Sequence, residues 1–200
     1  MTATARARAA KRYTWDDFVA LDDEDKRELV DGQLVEVEVP TKWHELIVTI
    51  LSYHLHGWAR TRKLRVLASA YKVKVREDRG AMPDVQVVKE SVYRRSANDQ
   101  GLVHGRPELV VEVVSPSSRQ HDRVRKVEWY ASIGVPEYWI VDVDDRLVQR
   151  LVLKRKQYVL AQQVAGDEVF EPASMKGLSI PLAEIWAAID PPKRKRKRRG

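Results

Sequence analysis

Apolar positions along this 200-residue chain recur with two periods, and the switching between them predicts a mixed α/β domain. Thr14-Trp15-Asp16-Asp17 has the form of a capping box, an acid three residues after the cap, and predicts a short helix. Glu28-Leu29-Val30-Asp31-Gly32-Gln33-Leu34-Val35 predicts a hairpin, because Asp-Gly between two apolar runs favours a type I′ turn. In its second strand Leu34, Glu36 and Glu38 share one face and Val35, Val37 and Val39 the other, until Pro40 ends it. Trp43, Ile47, Ile50, Leu51, His54 and Trp58 follow at three- and four-residue steps, which predicts a helix over 43–60. Two strands are expected over 65–68 and 71–75, then a turn over 76–80 and a strand over 82–88 opened by Pro83-Asp84. Residues 91–107 show no period and read as a polar loop, long enough to suggest mobility or function.

The most informative stretch is 109–142, which reads as strand, loop, helix, strand. Leu109 to Val114 is a strand, Ser115-Pro116-Ser117-Ser118 a loop, and 121–133 a helix stopped by Gly134. An apolar, aromatic strand over 137–143 begins an antiparallel meander, continued by 146–153 and 158–164 after turns at Asp144-Asp145 and Lys154-Arg155-Lys156. A last helix spans 181–189, with Pro181 well placed in its first turn.

Composition narrows the class. Hydrophobic residues make up 44% and charged residues 32%, as in one soluble globular domain. The absence of cysteine excludes disulfides and thiolate metal sites. No apolar run approaches the roughly 18 residues of a bilayer span, and the N-terminus lacks an apolar signal core, so a cytoplasmic protein is expected. The net charge of +7 resides at the ends. Seven positives stand in 193–199 (KRKRKRR) and four in 1–12; without these eleven the body, 13–190, is left at −4. That argues against a body that binds nucleic acid through a broad basic face. The arm 1–12 and tail 191–200 are expected to be disordered. The tail is either a solubilising terminus or a segment that attracts phosphates without reading sequence.

Two charges then stand where hydrophobes belong. Glu112 interrupts Leu109-Val110-Val111-Glu112-Val113-Val114, the kind of run found in a strand covered on both faces. A buried carboxylate must be paired, ligate a metal or act in acid–base chemistry. Lys126 stands with Trp129, Tyr130 and Ile133 at i, i+3, i+4 and i+7, inside the apolar stripe of its helix, with Asp122 one turn earlier. Its ammonium either snorkels to water or turns inward. The connecting loop is short enough for the helix to fold back and bring Lys126 to Glu112. Asp84 opens the strand after Pro83 and is either a turn acid or the third member of the group. Two carboxylates on neighbouring strands with one inward lysine compose a hydrolytic site for Mg²⁺ or Mn²⁺, ions that prefer hard oxygen ligands. His54 and His56, two residues apart on a helix, do not face each other and make no metal pair.

The order Pro83-Asp84, then Glu112, then a helix carrying lysine resembles the PD-(D/E)XK nuclease superfamily. The closest resemblance is to the Uma-type family, named for restriction endonucleases. It rests on Glu28-Leu29-Val30-Asp31-Gly32, on His44 and Glu36, and on Pro83-Asp84-Val85. Its more specific half lies in the stretch from Pro107 to Ser117, in Asp122, Lys126 and Tyr130, and in Gly134-Val135 with Glu137-Tyr138-Trp139-Ile140-Val141-Asp142. The resemblance implies a restriction-endonuclease-like mixed sheet flanked by helices, and a DNA endonuclease with Asp84 and Glu112 binding metal beside the Val113 carbonyl. The usual lysine position holds Val114, so Lys126 from the following helix takes that role. Two other readings stand beside this one. A non-catalytic nucleic-acid-binding module could keep the fold, and the −4 body leaves room for it; a structural protein could use the same charges as a core salt bridge. A homodimer would suit double-strand cleavage.

Overall fold

The computed structural model describes residues 11–22, 25–37, 39–68, 71–96, 101–102, 104–114 and 125–190. Most of the arm, the tail, the 115–118 loop and Asp122 fall outside these.

Helix α1 (Trp15–Val19) begins with the capping box at Thr14 and Asp17 and buries Trp15 and Phe18. The hairpin β1 (Arg27–Val30) and β2 (Gln33–Glu36) turns at Asp31 and Gly32, with φ of 50° and 79°, the left-handed pair that a type I′ turn requires. Helix α2 (Lys42–Ala59), capped by the Thr41 side chain, turns Ile47, Val48, Leu51 and Leu55 inward. Strands β3 (Leu64–Ala68), β4 (Lys72–Arg76), β5 (Arg79–Ala81) and β6 (Val85–Lys89) follow, then α3 (Glu90–Ser96) and β7 (Gly101–Leu102). The chain continues through β8 (Leu109–Val114), α4 (Val127–Ser132), β9 (Glu137–Asp142), β10 (Leu147–Lys154) and β11 (Gln157–Ala165). It ends with β12 (Val169–Phe170), β13 (Ile180–Pro181) and α5 (Leu182–Ile189).

Two main sheets result. The six-stranded sheet has the order β11-β10-β9-β8-β6-β3, and the five-stranded sheet the order β2-β1-β5-β4-β7. Within the larger sheet only β8 and β9 run parallel, so their connection must cross over one face. Helix α4 lies in that crossover. Strand alternation sorts the side chains of β8: Val111 and Val113 pack among residues of α2 and α5, while Val110 and Val114 pack with Trp129 and Tyr130 of α4 and Val30 of β1. Glu112, in phase with Val110 and Val114, therefore belongs to the α4 face.

Several expected elements are altered. The stretch read as a loop from 91 contains α3, a helix too short and too polar to show a period. Its first residue, Glu90, is tied to Arg65 and to Arg94 one turn on. The turn expected over 76–80 tightens to Glu77-Asp78, and Arg79–Ala81 joins the five-stranded sheet between β1 and β4. The strand expected from 82 starts at Val85. Among the described residues α4 begins only at Val127, after a wider, π-type helical turn at Arg125 and Lys126. Gly134, at φ 77°, reverses the chain beyond it. The meander keeps the expected order. Its base is tied by a buried ion pair, Arg150 to Glu137, to which Trp139 Nε1 and Ser174 Oγ also donate.

Candidate active site

Strands β6 and β8 pair antiparallel with Val85 opposite Val111. Continued by one residue, the same register sets Asp84 opposite Glu112. Pro83, which has no amide to donate, ends the ladder there. The Asp84 side chain replaces the missing strand bond: its Oδ2 accepts from the Val113 amide at 2.7 Å. Its Oδ1 lies 3.0 Å from Nε2 of His44, in the first turn of α2. Burial pulls the His44 pKa down, but the bond to Asp84 and the charges of Asp84 and Glu45 outweigh it, and the net effect is a raised value.

Beside Asp84, on β8, lies a buried charge cluster. Glu112 is 2% exposed, Lys126 5% and Glu28 1%. Lys126 Nζ is 3.2 Å from Glu112 Oε2 and 3.1 Å from Glu28 Oε1. Tyr130, one turn beyond Lys126, donates its hydroxyl to Glu112 Oε1 at 2.7 Å. Burial and the Glu112 charge raise the Tyr130 pKa well above its ordinary value, so the phenol stays a donor. The Met82 amide donates to Glu28 Oε1 at 3.0 Å, whereas Glu28 Oε2 is buried with no hydrogen-bond partner.

The inward reading of Lys126 thus holds over snorkelling, and Lys126 meets Glu112 across the crossover as the stripe suggested. Asp84 reaches the same strand at the next residue. Two partners were missed. Glu28 enters the sequence reading as a hairpin residue and a point of family resemblance, with no partner or role assigned. The available signal was its phase with Val30, which set a carboxylate on an inward face. Tyr130 was read as core, yet its spacing from Lys126 puts both on the same side of the crossover. His44 is a position of the family resemblance to which the sequence assigns no partner. Among the described residues, no three His, Asp or Glu side chains converge closely enough to hold an ion by themselves, and no helix is long and apolar enough to cross a membrane.

A mixed sheet with a βαβ crossover, carrying an acid at one strand mouth and a buried acid–lysine cluster beside it, is the arrangement of a nuclease-like α/β protein. The solved structure of a "putative nuclease belonging to DUF820" from Anabaena variabilis ATCC 29413 has the same fold, with a TM-score of 0.70 at 17% identity over 88% of this chain and 98% of that one. The family model Uma2, described as "Putative restriction endonuclease", matches residues 15–183, and the chain belongs to that family. No curated protein matches the chain.

Proposed function

We propose that the protein is a metal-dependent endonuclease that hydrolyses phosphodiester bonds in DNA, its catalytic domain spanning 13–190. The observation that carries the reading is the buried lysine held between Glu28 of β1 and Glu112 of β8, the strand that also meets Asp84. Asp84, Glu112 and the Val113 carbonyl would hold Mg²⁺ or Mn²⁺. Three features of the residues fit such an ion. The donors are hard oxygens. Glu112 is buried and the Asp84 side chain is largely so, and a carboxylate taken out of water gains from a cation beside it. In an extended strand the amide and carbonyl of one residue point to the same side, so the Val113 amide bonded to Asp84 implies a carbonyl on the Asp84 side of β8.

When bound, a divalent ion supplies an acidified water and a counter-charge for the phosphoryl group. The chain's own residues do the rest. Tyr130 and Lys126 orient the Glu112 carboxylate. Lys126 offers an ammonium, held without reorganisation, to the charge that develops on the scissile phosphate. His44 fixes the rotation of Asp84, leaving each carboxylate oxygen a further lone pair.

Plasmid nicking tests this. Purified protein nicks DNA with Mn²⁺ or Mg²⁺, and Asp84→Asn and Lys126→Met lower the rate at least a hundredfold. Calorimetric titration with Mn²⁺ follows the middle step, with uptake lost in Asp84→Asn. Nicking unchanged in both variants sinks the site. DNA binding without Mn²⁺ uptake or nicking by the wild type would favour the non-catalytic module.

A further inference from the structure

A groove of about 740 Å³ runs along the outer side of α2, with β3 as its second wall. Both walls lead back to the site just described. Helix α2 carries His44 against Asp84 at its first turn, and β3 ends at Ala68, opposite Val85 and so beside Asp84. Strand β3 is the edge of its sheet, so one row of its backbone groups is unpaired.

Three observations indicate what the groove takes. Gly57 lines it from the last turn of an 18-residue helix, where alanine or leucine would favour the helix more. No packing demands that glycine, since nothing lies within 4 Å of where its Cβ would stand. Its effect is to leave the groove floor open. Tyr53, one turn earlier, is 76% exposed, its ring available to a flat partner. The Arg60 side chain, near the far end, has no hydrogen-bonded or acidic partner among the described residues, whereas Arg62 and Arg65 nearby are both engaged. A vacant floor, an exposed ring and an unneutralised guanidinium in a row suit a strand with flat bases and a regular negative backbone. Stacking on Tyr53 requires an unpaired base.

We propose that the α2–β3 groove is the path of a single-stranded nucleic-acid segment leading away from Asp84, with one base on Tyr53 and its phosphates near His56 and Arg60. The proposal rests on the nuclease reading and extends it from the scissile phosphate to the flank.

Fluorescence anisotropy with a labelled single-stranded oligonucleotide and its duplex, in EDTA and with the full chain, tests the path. Gly57→Leu fills the floor with a better helix former. It lowers single-strand affinity at least tenfold while the melting temperature stays or rises. Tyr53→Ala costs roughly fivefold to a hundredfold, the range of one lost base stack, and Tyr53→Phe restores wild-type binding. Arg60→Ala reduces the salt slope of single-strand binding by about 0.7. Equal affinity in Gly57→Leu, Tyr53→Ala and the wild type overturns the path. So does a Gly57→Leu change confined to the protein's own sedimentation, which would make the groove a contact for a second copy at the β3 edge. The two readings fail separately. Wild-type Mn²⁺-dependent nicking with unaltered strand affinity in every variant overturns the groove alone. Strand binding lowered by the variants, with no nicking by the wild type, overturns the nuclease and leaves the groove. Absence of any nucleic-acid binding by the wild type overturns both.

Discussion

Lys126 has two carboxylates within hydrogen-bonding distance and one positive charge to offer them. Removing the ammonium and removing the Glu28 charge are opposite experiments. Lys126→Met leaves two buried acids facing each other. The expected loss in urea denaturation, without metal, is about 3–5 kcal/mol, the usual cost of stranding a buried charge. Saturating Mn²⁺ should recover part of it. Glu28→Gln keeps the acceptor for the Met82 amide and removes one negative charge. Its melting temperature in EDTA should stay or rise, while calorimetry shows weaker Mn²⁺ binding. A variant destabilised as much as Lys126→Met would show instead that the Glu28 charge is structurally required. At this scale the sequence was legible where one element sufficed. Lys126 betrayed itself by standing at i in a stripe completed at i+3, i+4 and i+7. Glu28 did not, because which face of a two-stranded hairpin is buried depends on what later covers it, and its cover comes from Met82 and Lys126, far along the chain.

Short elements depend on their anchors, and α3 shows this most plainly. Seven residues do not form a stable helix alone. Glu90 gathers Arg65 from β3 and Arg94 from its own helix, and these bonds lower its pKa from 4.5 to about 2. A carboxylate with a depressed folded pKa contributes fully above its unfolded value and loses that contribution as pH falls through the folded one. The α3 anchor should therefore persist through pH 4 and fail only near pH 2. The pair is exposed to solvent, so the effect is local and weak. An NMR titration of the Glu90 carboxyl should give a midpoint of about 2, and Arg65→Gln with Arg94→Gln should return it towards 4.5. No pattern of apolar spacing could reveal α3, since its order comes from charges on a strand some 25 residues earlier. The meander β9-β10-β11 was legible for the converse reason: its turns and pairings are local.

Across the whole molecule, the body and the ends have opposite electrostatic characters. The body carries −4 and the last stretch, KRKRKRR, seven positives. Removing 191–200 should leave cleavage of saturating short DNA unchanged. It should also flatten the dependence of log affinity on log salt by up to about six, near 0.9 for each phosphate neutralised on B-DNA. An unaltered slope would show that the tail makes no phosphate contact. The division into two sheets was not legible at all. It depends on β5 pairing with β1 and β7 with β4, joins between distant segments that no local pattern announces. The candidate centre lies where these sheets meet: Glu28 belongs to the smaller, Glu112 to the larger, and Lys126 to the crossover between β8 and β9.

That meeting has a consequence for how the protein is made. Contacts so distant in sequence close late, after loop entropy has been overcome. A chain cut short before residue 126 holds Asp84 and Glu112 but no ammonium between its acids. On the proposed mechanism, an unfinished or clipped polypeptide carries the metal ligands without the cutting centre, and the cell's own DNA faces the nuclease only once synthesis and folding are complete.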